Sequence, residues 1–173
     1  MEDLKIKRVC GFNVSSIHFS VMILPYINKE LEAEKNIITI LEGNLEKNIQ
    51  EILSKITLNN EAKEKIKNIN WKATDIEKDN IEKCLKQILT EEKDLSFIVY
   101  GREKYINHVN EKIEKTIKKY EKFLVNKNIT ITNCYTIDDF RENIREILNK
   151  HEAMFNTSGE KKIEDIFTDY YSA

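Results

Sequence analysis

The chain has 173 residues, of which 40% are hydrophobic and 34% charged, and its formal net charge is −2. This length suits one domain with a single core, and the composition is that of a folded globular protein rather than a disordered one. Because no clustered basic face accompanies this charge balance, binding to DNA or RNA is not expected.

The amino-terminal segment lacks the long apolar core of a signal peptide, and its most apolar stretch, residues 17–27, is interrupted by His18 and Pro25. We therefore expect a cytoplasmic protein with no membrane segment. The cysteines Cys10, Cys84 and Cys134 show no CxxC spacing, which favours reduced thiols over a disulfide framework or a zinc site. The sequence predicts neither a metal nor a cofactor.

Five strands are predicted, at residues 7–12, 36–41, 68–73, 95–100 and 129–134. Residues 36–41 and 95–100 are continuous apolar runs, which is typical of strands covered on both faces. The strand at 68–73 is predicted mainly from Trp71, which would be its buried side chain.

Each predicted strand is followed by a segment with the apolar spacing of a helix. The first helix begins at Ser15 or Ser16 and extends to about Lys35, with a kink or restart near Leu24 because Pro25 removes a helical hydrogen bond. Later helices are predicted at 45–56, 81–89 and 104–126. A closing helix over 140–155 is predicted to carry His151 on its apolar face.

The alternation of strands and helices predicts an α/β fold, with a mainly parallel five-stranded sheet covered by helices on both faces, as in Rossmann-like proteins. Residues 1–158 are predicted to form this single domain. Residues 159–173 are predicted to form an amphipathic helical tail that packs on the domain or on a partner. The apolar side chains of the tail are Ile163, Ile166, Phe167 and Tyr170.

A ligand site in such a sheet is expected beyond the carboxyl ends of the strands, where helix amino termini converge. Gly11, Gly43 and Gly101 lie there, although a steric role in the turns is favoured over a ligand role. The sequence predicts no catalytic residue. The ligand-binding candidates are Cys10, Phe12, His18, Glu42, Tyr100, Arg102, Cys134, Tyr135 and His151. For the cysteines we favour inert thiols, for His18 a capping or packing role, and for His151 a packed side chain.

Several motifs that would identify a reaction are missing from the sequence. It contains no GxxxxGK[ST] and no GxGxxG loop, so neither standard phosphate cradle is encoded. It also lacks the GxSxG and HExxH motifs of serine hydrolases and metalloproteases.

Three segments together resemble the MEDS sensory domains of bacterial and archaeal signal-transduction proteins. The first is RVCGFNVSSIHFSVMILPYINKELEAEKNIITIL, the second begins at SFIVYGREKY and ends at NCYTIDDF, which contains the Cys134–Tyr135 corner, and the third is REILNKHEAMFNTSGE. The resemblance implies a RecA-like three-layer fold without a phosphate-binding loop, which senses small organic molecules. It also implies that Cys134, Tyr135 and His151 contribute to the site, with Cys10 and Phe12 beside them.

Three hypotheses follow from the sequence. The leading one is a non-enzymatic sensory or regulatory domain that binds a small organic ligand and signals through a protein such as a kinase or a transcription regulator. The second is a degenerate RecA-like interaction scaffold or homodimer that binds no ligand. The third is an enzyme that uses the chemistry of Cys10 or Cys134.

Overall fold

The computed structural model describes residues 4–78 and 81–166. The strands of this part are β1 (Lys5–Asn13), β2 (Asn36–Leu41), β3 (Leu95–Tyr100), β4 (Asn128–Thr136), β5 (Ala153–Asn156) and β6 (Gly159–Lys162). Its helices are α1 (Ser16–Glu32), α2 (Glu46–Lys55), α3 (Asn60–Lys67), α4 (Ile81–Ile88), α5 (Glu103–Lys119), α6 (Glu121–Leu124), α7 (Ile137–Glu142), α8 (Ile144–Asn149) and α9 (Ile163–Ile166).

The strands form one six-stranded sheet in the order β2-β3-β4-β1-β5-β6. All neighbouring pairs are parallel except β5 and β6, which form an antiparallel hairpin at one edge. The prediction of an α/β protein with a mainly parallel sheet is therefore confirmed, although the sheet has one more strand than predicted.

Helices cover both faces of the sheet, because successive strand residues point to opposite sides and both sides are apolar. Phe97 of β3 packs with residues of α4 and α5, whereas the adjacent Ile98 packs with residues of α1, α2 and α3. We call the first side, which α7, α8 and α9 also cover, the α5 face, and the second the α1 face. The three layers are those of Rossmann-like and RecA-like folds.

The strand predicted at residues 68–73 is wrong, since this segment is irregular. Trp71 is nevertheless buried, and its indole N–H donates to the Ile66 carbonyl at 2.9 Å. The Trp71 carbonyl accepts from the Leu45 amide at 2.8 Å, and the Ala73 amide donates to Asn44 Oδ1 at 2.7 Å. Trp71 is thus buried because this irregular segment packs on the α1 face, and not by strand pairing.

The closing helix predicted over 140–155 is also wrong in its second half. The chain breaks helical geometry at Asn143, where φ is −122°, and α8 ends at Asn149. Met154 and Phe155 then lie in β5, where they pack on the α5 face and the α1 face respectively. A short apolar run fits both helical and strand periodicity, so the sequence pattern did not separate the two.

The remaining differences concern helix ends and the tail. α1 continues through Pro25 as one helix and ends at Glu32, so the chain does not restart near Leu24. The long helix predicted over 104–126 is divided into α5 and α6 at Tyr120. Residues 159–162 form β6 instead of a helix, and α9 follows. The predicted tail contacts of Phe167 and Tyr170 lie outside the described residues.

None of the helices in residues 4–78 and 81–166 combines the length and the apolar character needed to cross a membrane.

Candidate functional site

At the carboxyl ends of β2 and β3, the predicted ligand residues bind one another. Arg102 Nη2 lies 2.9 Å from Glu42 Oε2, and the Arg102 backbone amide donates to Glu42 Oε1 at 2.9 Å. These hydrogen bonds from Arg102 hold the pKa of the Glu42 carboxyl below its usual value. Tyr100 stacks on Phe19 with ring centroids 4.3 Å apart, and burial raises its pKa. This corner is a packed and ion-paired structural element.

His18 has the capping role that the sequence analysis favoured. Ser15 caps α1, since its side chain accepts from the His18 backbone amide at 3.1 Å. The His18 ring in turn accepts, at Nδ1, from the Val14 amide at 3.1 Å. Both interactions close the turn between β1 and α1.

Cys10 and Cys134 lie on neighbouring strands, but on opposite faces of the sheet. Gly11 is the register partner of Cys134, so Cys10 points to the α5 face and Cys134 to the α1 face. Burial raises the pKa of the Cys10 thiol to about 12 and also raises that of Cys134. The structure therefore does not bring the two sulfurs together as a redox or soft-metal pair, and both thiols are protonated at neutral pH.

Phe12 closes the carboxyl end of β1. Its ring stacks on Phe140 of α7 with centroids 4.8 Å apart, and the neighbouring Asn13 side chain donates to the Tyr135 carbonyl at 2.9 Å. These contacts pack the carboxyl ends of β1 and β4 against each other and against α7.

A cavity of about 460 Å³ with polar and charged lining residues lies on the α5 face of the sheet, beside the carboxyl-terminal half of β4. We call it the α5 pocket. It is lined by Arg8, Asn107, Asn110, Glu111, Glu114, Asn133, Tyr135, Lys150 and His151. One wall comes from helically spaced residues of α5, the floor from alternate residues of β4, and the other wall from the turn between α8 and β5.

A chain of hydrogen bonds fixes the orientation of His151 at the floor of the pocket. Its Nδ1 lies 2.5 Å from the Ile147 carbonyl, so Nδ1 carries the proton and donates. Its Nε2 lies 2.9 Å from Nδ2 of Asn133, which donates to it. Asn110 Nδ2 donates to Asn133 Oδ1 at 2.8 Å, so the amides and the imidazole form one network.

The same environment keeps His151 neutral. Burial lowers its pKa to about 4, and the positive charges of Arg8 and Lys150 act in the same direction, whereas the hydrogen bond to the Ile147 carbonyl opposes them. At neutral pH the ring is a fixed donor at Nδ1 and a fixed acceptor at Nε2.

Tyr135 lies beside His151, and its hydroxyl makes no hydrogen bond to a described protein group. Its side chain is 2% exposed, and its ring meets the His151 ring edge-on, with centroids 5.9 Å apart and an interplanar angle of 89°. Burial raises the pKa of the hydroxyl, so it stays protonated. Among the residues that the structure describes, none donates to this hydroxyl or accepts from it. Because Tyr135 lines the α5 pocket, a ligand or water in the pocket can bond to this hydroxyl.

The mouth of the pocket carries two positive and two negative side chains. Arg8 Nη2 pairs with Glu114 Oε1 at 2.8 Å, and Glu111 and Lys150 are exposed at the same opening. With His151 neutral, the formal charges of the lining cancel. Within residues 4–78 and 81–166, no group of three or more His, Cys, Asp or Glu side chains is arranged to hold a metal ion.

Of the nine predicted ligand residues, the structure brings only Tyr135 and His151 together in this cavity. Cys10 lies on the same face of the sheet but is fully buried in the core. Asn110 and Asn133, which connect the two sides of the site, were not predicted from the sequence. Asn133 could have been identified, since an amide inside the apolar strand predicted at 129–134 needs buried hydrogen-bond partners.

The fold and this site define a three-layer, Rossmann-like or RecA-like α/β protein with a polar, charge-balanced pocket on one sheet face. Comparison of the chain with family models, curated proteins and solved structures gives no match.

Proposed function

We propose that the chain is a cytoplasmic, non-enzymatic sensory or regulatory domain that binds a small organic ligand in the α5 pocket and signals through a protein partner. One observation carries the ligand proposal: Tyr135 lines the pocket and its hydroxyl has no described protein partner, although it lies beside a fully bonded Asn110–Asn133–His151 network. A bound ligand with hydroxyl or carbonyl groups would satisfy this phenol.

The α5 pocket supports binding better than a second, larger space at the edge of the sheet. That space, about 540 Å³, also borders His151 but is lined mainly by exposed Lys and Glu side chains of β1, β6 and their neighbours. Binding sites need polar groups fixed by their surroundings. The α5 pocket has such groups on its floor.

The state of the titratable groups supports a non-enzymatic role. A general base works best when its pKa lies near the working pH. The pKa of His151 is lowered to about 4, and both of its ring nitrogens are engaged by protein groups. The Cys10 and Cys134 thiols are fully buried and protonated, which counts against nucleophilic catalysis by either.

A ligand in the α5 pocket would touch elements that are far apart in sequence. Its walls come from α5, from β1 and β4, and from the turn between α8 and β5. A ligand that binds one arrangement of α5 and this turn more tightly than another would shift the protein toward that arrangement. A signalling domain requires such a shift. A kinase or a transcription regulator as the partner is proposed from the resemblance to MEDS domains alone.

Two tyrosine variants test this proposal. Tyr135→Phe removes only the phenol oxygen in the α5 pocket, and Tyr100→Phe removes one at the carboxyl rim. The purified proteins are incubated with a metabolite extract and separated from free molecules, and the retained molecules are measured by mass spectrometry. We expect wild type and Tyr100→Phe to retain the same compound and Tyr135→Phe to retain less.

Three results of that experiment would contradict the proposal. Equal retention by both variants would place the site elsewhere, and no retained compound would count against a ligand. A compound converted to a product during incubation would show that the protein is an enzyme.

A second candidate function, an interaction scaffold or homodimer, is favoured by an apolar surface at the start of α1. The exposed fractions of Val14, Ile17 and Val21 are 68%, 62% and 46%, and they lie on one side of the turn and helix. If this surface mediates self-association, Ile17→Lys should reduce the sedimentation coefficient at high protein concentration. Phe123→Lys, at a separate position that is 66% exposed, is the matched control.

A further inference from the structure

The lining of the α5 pocket discriminates between classes of ligand. It contains three asparagines, two glutamates, one arginine, one lysine, one histidine and one tyrosine, and no aliphatic side chain. An apolar ligand would remove these groups from water without replacing their hydrogen bonds, at a cost of about 1–3 kcal/mol for each unpaired group. The polar groups of the lining thus favour a ligand that can replace their hydrogen bonds to water.

Charge discriminates further. Arg8 is already paired with Glu114 at 2.8 Å, and the exposed Glu111 and Lys150 add one charge of each sign. An anion that approached Arg8 or Lys150 would also approach the two carboxylates. A cation that approached either carboxylate would likewise approach the two positive side chains. Since a charge is costly to bury without a free partner, neither sign is favoured.

Two groups of the lining match hydroxyl groups. The protonated Tyr135 hydroxyl both donates and accepts, and so does the amide of Asn107. A hydroxyl on a ligand has the same dual capacity, so it can bind each of these groups whichever way they are oriented. A molecule with several hydroxyls around a compact ring could use several of them at once.

From these observations we propose that the α5 pocket binds a neutral polyhydroxylated ring, of the monosaccharide or cyclitol class. This inference rests on the proposed function, since it names the class of ligand for the same site. The volume of about 460 Å³ lies within the range of small-molecule pockets, roughly 300–1,000 Å³. It accommodates one such ring together with bridging water.

The test uses sugars that share one ring and differ in charge. Glucose, glucosamine and glucuronate form one set, galactose, galactosamine and galacturonate a second, and myo-inositol is added as a cyclitol. Binding to the full chain is measured by calorimetry and by ligand-observed NMR at a pH where the amino sugars are protonated. We expect at least one neutral member to bind about ten times more tightly than its charged relatives.

The tyrosine variants locate the binding site. Loss of one neutral hydrogen bond is worth about 0.5–1.5 kcal/mol, so Tyr135→Phe should weaken binding of that neutral sugar by roughly 2- to 10-fold. Tyr100→Phe should leave it unchanged. Neither hydroxyl has a described protein partner, so both variants should fold. Unfolding curves will verify this.

The possible outcomes separate this inference from the proposed function. Equal or tighter binding of a charged sugar overturns the neutral class but leaves the ligand pocket in place if Tyr135→Phe weakens it. If no sugar or inositol binds, while an extract supplies another compound whose retention depends on Tyr135, the inference is again wrong and the proposed function stands. If neither assay finds a ligand, both are overturned.

Discussion

Acid should destabilise this protein through His151, because the unfolded chain takes up a proton there that the folded protein excludes. The pKa of His151 is lowered from 6.5 to about 4 in the folded state. Its contribution to stability is therefore fully present above the unfolded pKa and is lost as pH falls toward the folded pKa. Between about pH 8 and about pH 5 this single group should reduce the free energy of unfolding by about 2 kcal/mol.

The assay is urea unfolding across this pH range for wild type and His151→Gln. Glutamine cannot titrate, so the variant should be less stable at neutral pH but should lose about 2 kcal/mol less than wild type on acidification. The difference between the two proteins isolates His151 from carboxyls such as Glu103, whose pKa is raised. The reasoning is refuted if both proteins lose equal stability, or if NMR titration of the folded protein shows an imidazole pKa near 6.5.

Two further predictions concern the core. Gly11→Ala should lower the free energy of unfolding by about 1–3 kcal/mol or more, because the added Cβ would overlap the ring of Phe155, which is 1% exposed. Gly43→Ala should have little effect, since nothing lies within 4 Å of its added Cβ. Equal melting temperatures for the two variants would contradict this. Thiol labelling of the folded protein should modify Cys84 rapidly and leave Cys10 and Cys134 protected until the chain unfolds, because only Cys84 is exposed. Rapid labelling of either buried thiol would revive the hypothesis of cysteine chemistry.

Parts of the fold followed directly from sequence pattern. β2 and β3 have the predicted bounds, because an apolar run with β-branched residues between polar turns has few other ways to be buried. The failures at 68–73 and 140–155 share a cause. In both places an apolar side chain is buried by tertiary contacts that its local sequence does not specify. Trp71 packs into the core of the α1 face from an irregular segment, and Phe155 lies in a strand that pairs with both β1 and β6.

The candidate site was harder to predict, because its polar residues have ordinary local explanations. Asn107, Asn110, Glu111 and Glu114 resemble the solvated side of an amphipathic helix. They line a cavity because Asn133 and Tyr135 of β4, together with the turn after α8, lie opposite them. Local sequence does not specify these tertiary neighbours.

A ligand site at the carboxyl rim stays a prediction, and the contacts found there do not favour it. Glu42, Tyr100 and Arg102 lie at strand ends, but Glu42 and Arg102 are engaged with each other and Phe12 with Phe140. A polar side chain marks a ligand site only when the protein leaves its hydrogen-bonding capacity unused. By that criterion the Tyr135 hydroxyl, beside the fixed ring of His151, indicates a ligand site more strongly than the rim residues do. The Tyr135→Phe variant therefore decides whether this hydroxyl binds a ligand or only water.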